Sequence, residues 1–175
     1  MKKQIKSIIS LFVICAVIAV ALAFTNHLTK ATITENERMA VQNALSGVMP
    51  GGSFSKIEHI DELNVNPSIT EIYHDETTDG YVFKINAKGY STGLVILCGV
   101  NADGTVSGAT CLDSKETNKA EVDYGNRFVG LDRSSIASVD TVSGSTKTTA
   151  AYRSAIQLSV DTAAKLRVRG GNQNG

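Results

Sequence analysis

The sequence contains no tryptophan, only two prolines and only three cysteines among its 175 residues. It also has no excess of charge, because 17 lysine and arginine residues balance 17 aspartate and glutamate residues. A zero net charge argues against nucleic acid as the main partner. With 42% hydrophobic residues, the chain is neither collagen-like nor disordered. The composition therefore predicts a folded domain with a buried core.

Patterns typical of hydrolases, metal enzymes and nucleotide-binding loops are also missing. The histidines, His27, His59 and His74, are far apart, and none has a neighbour at metal-ligand spacing. No Gly-x-Ser-x-Gly elbow is present. The segment Gly144-Ser145-Thr146-Lys147-Thr148 lacks the two glycines that a Walker loop requires. The function must therefore be sought in another kind of site.

Residues 7–24 form a run of 18 residues without a charged side chain. As a helix the run would be about 27 Å long, close to the ~30 Å of a bilayer's hydrocarbon core. Three lysines precede it, which places the N-terminus in the cytoplasm and Thr25 onward outside the cell. We predict an uncleaved single-pass anchor in the cytoplasmic membrane. A cleaved signal peptide is the alternative, because Ala21-Leu22-Ala23 suits signal peptidase.

The pattern beyond the anchor (residues 1–24) predicts an α+β fold in which a largely antiparallel sheet packs against helices. Residues 25–52 are expected to form a helical stalk or first helix, which Pro50 and the following glycines end. Strand patterns follow near residues 54–60, 69–73, 81–87, 94–100 and 105–112.

The pair Asp103-Gly104 predicts a type I′ turn between the last two strands. In that register Cys98 and Cys111 share one face of the sheet but lie diagonally, ~7–8 Å apart, beyond the usual disulfide span. We therefore predict that both are buried free cysteines, and that Cys15 is an apolar side chain of the membrane segment.

A polar stretch, residues 113–132, is long for a connection and is expected to be functional or partly helical. From near Thr148 the pattern predicts an amphipathic helix that packs on the sheet. Its apolar face comprises Tyr152, Ala155, Ile156, Val160, Ala163 and Leu166. Residues 53–169 are thus predicted as one domain, and residues 170–175 as a flexible tail.

A hydroxyl-rich segment, Asp140-Thr141-Val142-Ser143-Gly144-Ser145-Thr146-Lys147, directly precedes this helix. Its serines and threonines are good N-caps, and capping alone would explain them. The same geometry also suits a phosphate group, because a helix N-terminus offers free N–H donors and a partial positive charge. Lys147 would assist, and Gly144 would permit a close approach. The segment is therefore compatible with both a helix cap and a phosphate site.

The segment resembles the flavinylation motif of the FMN-binding domains in two electron-transport proteins. These are the RnfG subunits of Rnf complexes and the related flavin-carrying subunits of the sodium-pumping NADH:quinone reductase. The motif usually reads Asp, two variable residues, Ser/Thr-Gly-Ala-Thr, and a dedicated flavin transferase joins its last threonine to FMN through a phosphoester. Thr146 is the matching threonine, and Ser145 stands where alanine is usual.

The resemblance extends along the chain through Met-Pro-Gly-Gly at 49–52, Gly89-Tyr90, Asp103-Gly104 and Glu116-Thr117, which follow the family's order. After Glu-Thr the family normally has Pro-Gly-Leu-Gly, whereas this chain has residues 118–121 as Asn-Lys-Ala-Glu. The loop beside the flavin is therefore expected to differ. The length of the chain favours the Rnf subunit.

The resemblance implies FMN covalently bound to Thr146 in a single-pass membrane subunit of an ion-translocating ferredoxin:NAD oxidoreductase. The resemblance also implies that seven further residues bind the cofactor: Asp140, Ser143, Gly144, Ser145, Lys147, Glu116 and Thr117. The expected role is electron relay without independent catalysis, with the other membrane subunits and the flavin transferase as partners. A stand-alone extracytoplasmic flavoprotein that passes electrons to quinone or external acceptors is one alternative. A tethered, non-redox binding domain is the other.

Overall fold

The computed structural model describes the backbone of residues 2–171 and the side chains of residues 11–26 and 35–169. Its contacts divide the chain into two compact units, Met1–Ala40 and Val41–Gly175. We describe each unit by itself.

Helix α1 spans Lys2–Val48 without a break, so the predicted anchor and stalk belong to one helix. Many of its large apolar side chains are exposed in the first unit: Leu11, Phe12, Val13, Ile14, Val17, Ile18, Val20, Leu22 and Phe24. Within the part of the chain that the structure describes, no helix combines the length and hydropathy needed to cross a membrane. The side chains of residues 7–10, which belong to the predicted anchor, lie outside the described residues.

The second unit is built on a five-stranded sheet with strand order β1-β2-β3-β4-β5. Every pair of neighbouring strands is antiparallel, which confirms the predicted sheet type. The strands are β1 (Phe54–Lys56), β2 (Ile69–Asp75), β3 (Gly80–Lys88), β4 (Thr92–Val100) and β5 (Val106–Asp113).

The strand pattern expected near residues 54–60 is wrong beyond Lys56. Ile60–Leu63 form a short 3-10 helix instead. His59 and Asn64 flank it with φ of 57° and 51°, in the left-handed region. A left-handed residue turns the chain out of the extended conformation, so an apolar side chain at Ile60 is no longer part of a strand.

Alternation along the strands separates two apolar faces of the sheet. On one face Val82 and Leu97 pack with Val41, Leu45 and Val48 from the end of α1. The other face carries Phe83, Ile85, Ile96 and Cys98, and it packs against helix α3 (Thr146–Gly171). All six apolar residues predicted for the face of that helix are buried. The helix begins two residues earlier than predicted.

The predicted type I′ turn between β4 and β5 is wrong, because only Gly104 has a positive φ, 88°. Residues 102–104 form a three-residue loop closed by hydrogen bonds between Asn101 and Thr105 and between Gly104 and Asn101. The Asp103 carboxylate accepts the Thr105 N–H at 2.8 Å, which favours this turn. The strand register is nevertheless as expected, because a bulge at Gly99 and Val100 offsets the extra loop residue.

In that register Cys98 lies opposite Ala109 and Cys111 lies opposite Ile96. Both thiols are free, but only Cys98 is buried, whereas Cys111 is half-buried. Burial raises the pKa of the Cys98 thiol to about 12. Burial, with the nearby charges of Glu121 and Asp113, raises the pKa of Cys111 to about 11.

The polar stretch after β5 is partly helical, as predicted. It contains helix α2 (Glu121–Tyr124) and a 3-10 helix (Gly125–Phe128), and a further 3-10 turn (Ile136–Ser138) precedes α3. Tyr124, Phe128 and Tyr152 form a buried aromatic cluster that anchors the connection to α3. Helix α3 continues through Gly170 and Gly171. Residues 172–175 lie outside the described residues.

Candidate functional site

The hydroxyl-rich segment forms a tight turn that leads directly into α3. Gly144 has a φ of 79°, a conformation that side chains with a Cβ rarely adopt. The Ser145 N–H donates to the Val142 carbonyl at 3.0 Å, which closes the turn. The backbone therefore favours glycine at position 144, where the chain reverses before the helix begins at Thr146.

The first turn of α3 keeps its N–H donors free. Among the described residues, no acceptor is hydrogen-bonded to the N–H of Thr146, Lys147 or Thr148. In the same part of the chain, no side chain of Ser143, Ser145 or Thr146 caps these donors. Unpaired N–H groups and the helix dipole together favour an anion at this position.

The threonines of this turn differ in what their hydroxyls bind. Thr149 is fully buried, and its Oγ1 donates to the Ser145 carbonyl at 2.9 Å while it accepts the Val142 N–H at 3.1 Å. Thr148 is 2% exposed, and its Oγ1 donates to Glu116 Oε2 at 2.7 Å. Thr146 is exposed, and its hydroxyl has no hydrogen-bond partner among the described residues. The free threonine hydroxyl of the turn is thus that of Thr146.

This turn borders a cavity of about 480 Å³. The cavity is lined by Tyr90, Glu116, Thr117, Asn118, Gly144, Ser145, Thr146, Lys147 and Thr148. Six of the eight predicted site residues are in this lining, and the other two, Asp140 and Ser143, are not. Both of those side chains are exposed, and the Asp140 carbonyl accepts the Tyr124 hydroxyl at 3.0 Å. The fold therefore brings Glu116 and Thr117 beside the hydroxyl-rich turn.

Glu116 connects three segments around the cavity although it is only 5% exposed. Its Oε1 accepts the Ser91 N–H at 3.0 Å, and its Oε2 accepts the Thr148 hydroxyl. Its own N–H donates to Ser114 Oγ at 3.1 Å, and that hydroxyl donates to the buried Glu121 at 2.6 Å. Both carboxylate oxygens of Glu116 are therefore engaged by groups of the protein.

The sequence analysis did not assign a site role to Tyr90, Asn118 or Thr148. Tyr90 is 73% exposed, and Lys147 Nζ lies 5.9 Å from the centroid of its ring. The Asn118 amide nitrogen lies 3.8 Å from where a Cβ on Gly144 would be. The Gly89-Tyr90 pair, which is part of the resemblance in the sequence, was a usable signal for Tyr90. No local signal pointed to the contact of Thr148 with Glu116.

The residues present suit a phosphate ester attached at the edge of the cavity. The free N–H groups and Lys147 would face the phosphate, and the Thr146 hydroxyl is the exposed oxygen next to them. The exposed ring of Tyr90 offers an apolar surface to a planar group in the cavity. This arrangement fits FMN, which combines a phosphate with a planar ring system.

Comparison with protein families gives two matches. Residues 1–48 match the model described as the RnfG N-terminal region, and residues 89–161 match the FMN-binding domain. Together they account for more than half of the chain. Every residue that lines the cavity falls within the second match.

Two relatives agree with these matches, and each is the subunit designated G of its complex. The chain is 27% identical over 179 residues to that subunit of the Na(+)-translocating ferredoxin:NAD(+) oxidoreductase complex of Acetobacterium woodii, covering 86% of each protein. It is 29% identical over 140 residues to that subunit of the ion-translocating oxidoreductase complex of Stutzerimonas stutzeri. The second match covers 74% of this chain and 61% of the relative.

Proposed function

We propose, from the premise that this chain belongs to the RnfG family, that it relays electrons through FMN bound covalently to Thr146. The family matches support an FMN-binding, electron-carrying subunit of an ion-translocating oxidoreductase complex. The bound flavin would accept and release one or two electrons, and the protein would hold it in place and adjust its potential. No independent catalytic activity is expected.

The observation that carries the proposal is the state of the Thr146 hydroxyl. It is exposed at a cavity, beside Lys147 and unpaired helix N–H groups, while the hydroxyls of Thr148 and Thr149 are buried and engaged. A nucleophilic oxygen must be approached by phosphorus, and only an exposed oxygen permits that approach. The geometry therefore supports attachment at Thr146 rather than at Thr148 or Thr149.

Attachment requires an activated FMN, in which the phosphate is part of a phosphoanhydride such as that of a flavin dinucleotide. Thr146 Oγ1 would form the new P–O bond, the anhydride P–O bond would break, and the nucleoside monophosphate would leave. The hydroxyl proton passes to a base of the flavin transferase. In the product, Lys147 and the free N–H groups of α3 would stabilise the remaining negative charge of the phosphodiester.

The proposal places the FMN-binding domain outside the cell and the N-terminus in the cytoplasm, with residues 1–24 as a single membrane anchor. The charge-free run at 7–24 and the match of residues 1–48 to the RnfG N-terminal region support this. Residues 25–52 would form the stalk and residues 53–169 the flavin domain. The partners would be the other membrane subunits of an Rnf-type ferredoxin:NAD oxidoreductase and the flavin transferase that loads the chain.

The test is to express the full chain with a flavin transferase and to examine it by denaturing gel fluorescence and peptide mass spectrometry. We expect a fluorescent band and the mass of FMN on the peptide that contains Thr146, both lost in Thr146→Ala. Thr70→Ala, which alters an exposed threonine on β2 away from the cavity, is the matched control and should remain fluorescent. A bare Thr146 peptide from cells with an active transferase would contradict the proposal.

A further inference from the structure

We propose that Glu116 is a positioning residue that determines which threonine of α3 receives the flavin. This inference rests on the proposed function. It starts from the fact that Thr148, like Thr146, lines the cavity and carries a hydroxyl. A transferase that reaches Thr146 comes within two residues of this second acceptor.

The contact with Glu116 holds the Thr148 hydroxyl in a position that phosphorus cannot easily approach. The hydroxyl donates a hydrogen bond to Glu116 Oε2 at 2.7 Å, and the residue is only 2% exposed, so the contact limits access to the oxygen. Thr149 does not depend on a distant residue, because its hydroxyl is hydrogen-bonded to the Ser145 carbonyl and the Val142 N–H of the same turn. Glu116 is therefore the group on which the difference between Thr146 and Thr148 depends.

Glu116 also fixes the position of the first turn of α3 relative to Tyr90. Its Oε1 accepts the N–H of Ser91, the residue after Tyr90. A Cβ on Gly89 would lie 2.6 Å from Oε1 and 3.1 Å from the Thr148 Cα, so the Gly89–Ser91 turn, the carboxylate and the helix are in tight contact. The carboxylate thus joins the aromatic side of the cavity to the side that carries Thr146.

The structure assigns Glu116 this role through other residues and not through contact with the flavin. Both carboxylate oxygens already accept hydrogen bonds from the protein. The Ser114 hydroxyl accepts the Glu116 N–H and donates to the buried Glu121, which holds the backbone of Glu116 in place. Removing the carboxylate would free the Thr148 hydroxyl and separate the two sides of the cavity.

The experiment maps the site of flavin attachment in the full chain expressed with a flavin transferase. In the wild-type chain all FMN should be on Thr146. In Glu116→Ala we expect the FMN on Thr146 to fall by roughly tenfold, since misplaced reacting groups lose rate steeply, and a measurable share to appear on Thr148. Glu116→Gln should restore most of the loading, because its amide can accept from Ser91 and donate to Thr148 Oγ1.

Asp75→Ala is the matched control for loss of a buried carboxylate, because Asp75 does not line the cavity. It should leave the attachment site unchanged in the folded fraction. If Glu116→Ala does not fold, Glu116→Asp replaces it, because the shorter side chain keeps the charge but does not reach both the Ser91 N–H and the Thr148 hydroxyl. We then expect a measurable share of the FMN on Thr148.

Absence of FMN from Thr148 in folded Glu116→Ala, or in Glu116→Asp where that variant replaces it, would overturn the inference whatever the loading of Thr146. FMN on Thr148 in the wild-type chain would overturn it as well. The failure of the proposed function is a different result, because in that case the wild-type chain carries no FMN at all.

Discussion

Two buried carboxylates, Asp75 and Glu116, use the same chemistry in different ways. Asp75 is fully buried and accepts the N–H of Ser53 at 2.7 Å, the N–H of Thr77 at 3.0 Å and the hydroxyl of Thr78 at 2.5 Å. Glu116 likewise accepts one N–H and one hydroxyl. Among the described residues neither carboxylate forms an ion pair, so both depend on neutral donors.

The difference lies in where the donors come from. Two of the three donors to Asp75 are two and three residues away, in the turn between β2 and β3. The donors to Glu116 are 25 and 32 residues away. Asp75 therefore closes a turn and contributes to stability, whereas Glu116 joins distant segments around the cavity. A buried carboxylate with local donors is part of the scaffold, and one with distant donors can define a site.

The largest expected effect is on stability at Asp75. Asp75→Ala leaves three donors without their acceptor, which should lower the free energy of unfolding by about 2–4 kcal/mol. Urea unfolding of the full chain measures this loss. Flavin loading of the folded protein should not change, so a loss of loading in that variant would break the comparison with Glu116.

A smaller effect separates two glycines that share a backbone conformation. Gly144 has φ 79° and Gly104 has φ 88°, and neither has an atom within 3.4 Å of where a Cβ would lie. Gly144→Ala and Gly104→Ala should therefore each cost about 1–2 kcal/mol, from the left-handed backbone alone.

Only Gly144→Ala should also reduce flavin loading, because the turn before Thr146 depends on that backbone. Denaturant unfolding measures the first effect and in-gel flavin fluorescence the second. Equal loading in the two variants would contradict the role of the turn in presenting Thr146.

The smallest expected effect concerns how hydrogen-bond donors change the pKa of a buried acidic group. Burial acts to raise the pKa of Asp75, but the Thr78 hydroxyl and the N–H groups of Thr77 and Ser53 outweigh it, so the pKa is lowered. Cys98 is also buried, and there burial prevails and raises the pKa to about 12.

At pH 8 a pKa of about 12 leaves only ~1 in 10⁴ of the Cys98 thiols ionised, and the thiolate is the reactive form. In a Cys15→Ser background, iodoacetamide should modify Cys98 only after unfolding, and Cys111 slowly in the folded protein. Mass spectrometry of the two peptides checks this. Rapid modification of folded Cys98 would show that burial does not control the thiol.

The predictions from sequence succeeded where the relevant contacts repeat along the chain. The alternation through Phe83 and Ile85 identified β3, and the apolar stripe from Tyr152 to Leu166 identified the buried face of α3. They failed where one hydrogen bond selects among conformations, as at Asp103, whose carboxylate binds Thr105 and favours the longer loop. A periodic pattern averages over many residues, whereas a turn depends on one or two.

The candidate site likewise contains residues that the sequence could identify and a contact that it could not. Gly144, Ser145, Thr146 and Lys147 were identified together because they are consecutive, and they do line one cavity. The pairing of Glu116 with Thr148 could not be predicted, because 32 residues separate them and neither residue type is unusual in its local segment.

The order of residues alone determined the antiparallel sheet, the helix that covers it and the glycine turn that begins that helix, because these depend on neighbours along the chain. Only the tertiary structure decided which threonine hydroxyl in the first turn of α3 is free and which are held. That choice depends on a carboxylate brought from a distant segment, since a buried donor must be paired with whatever acceptor the fold places beside it.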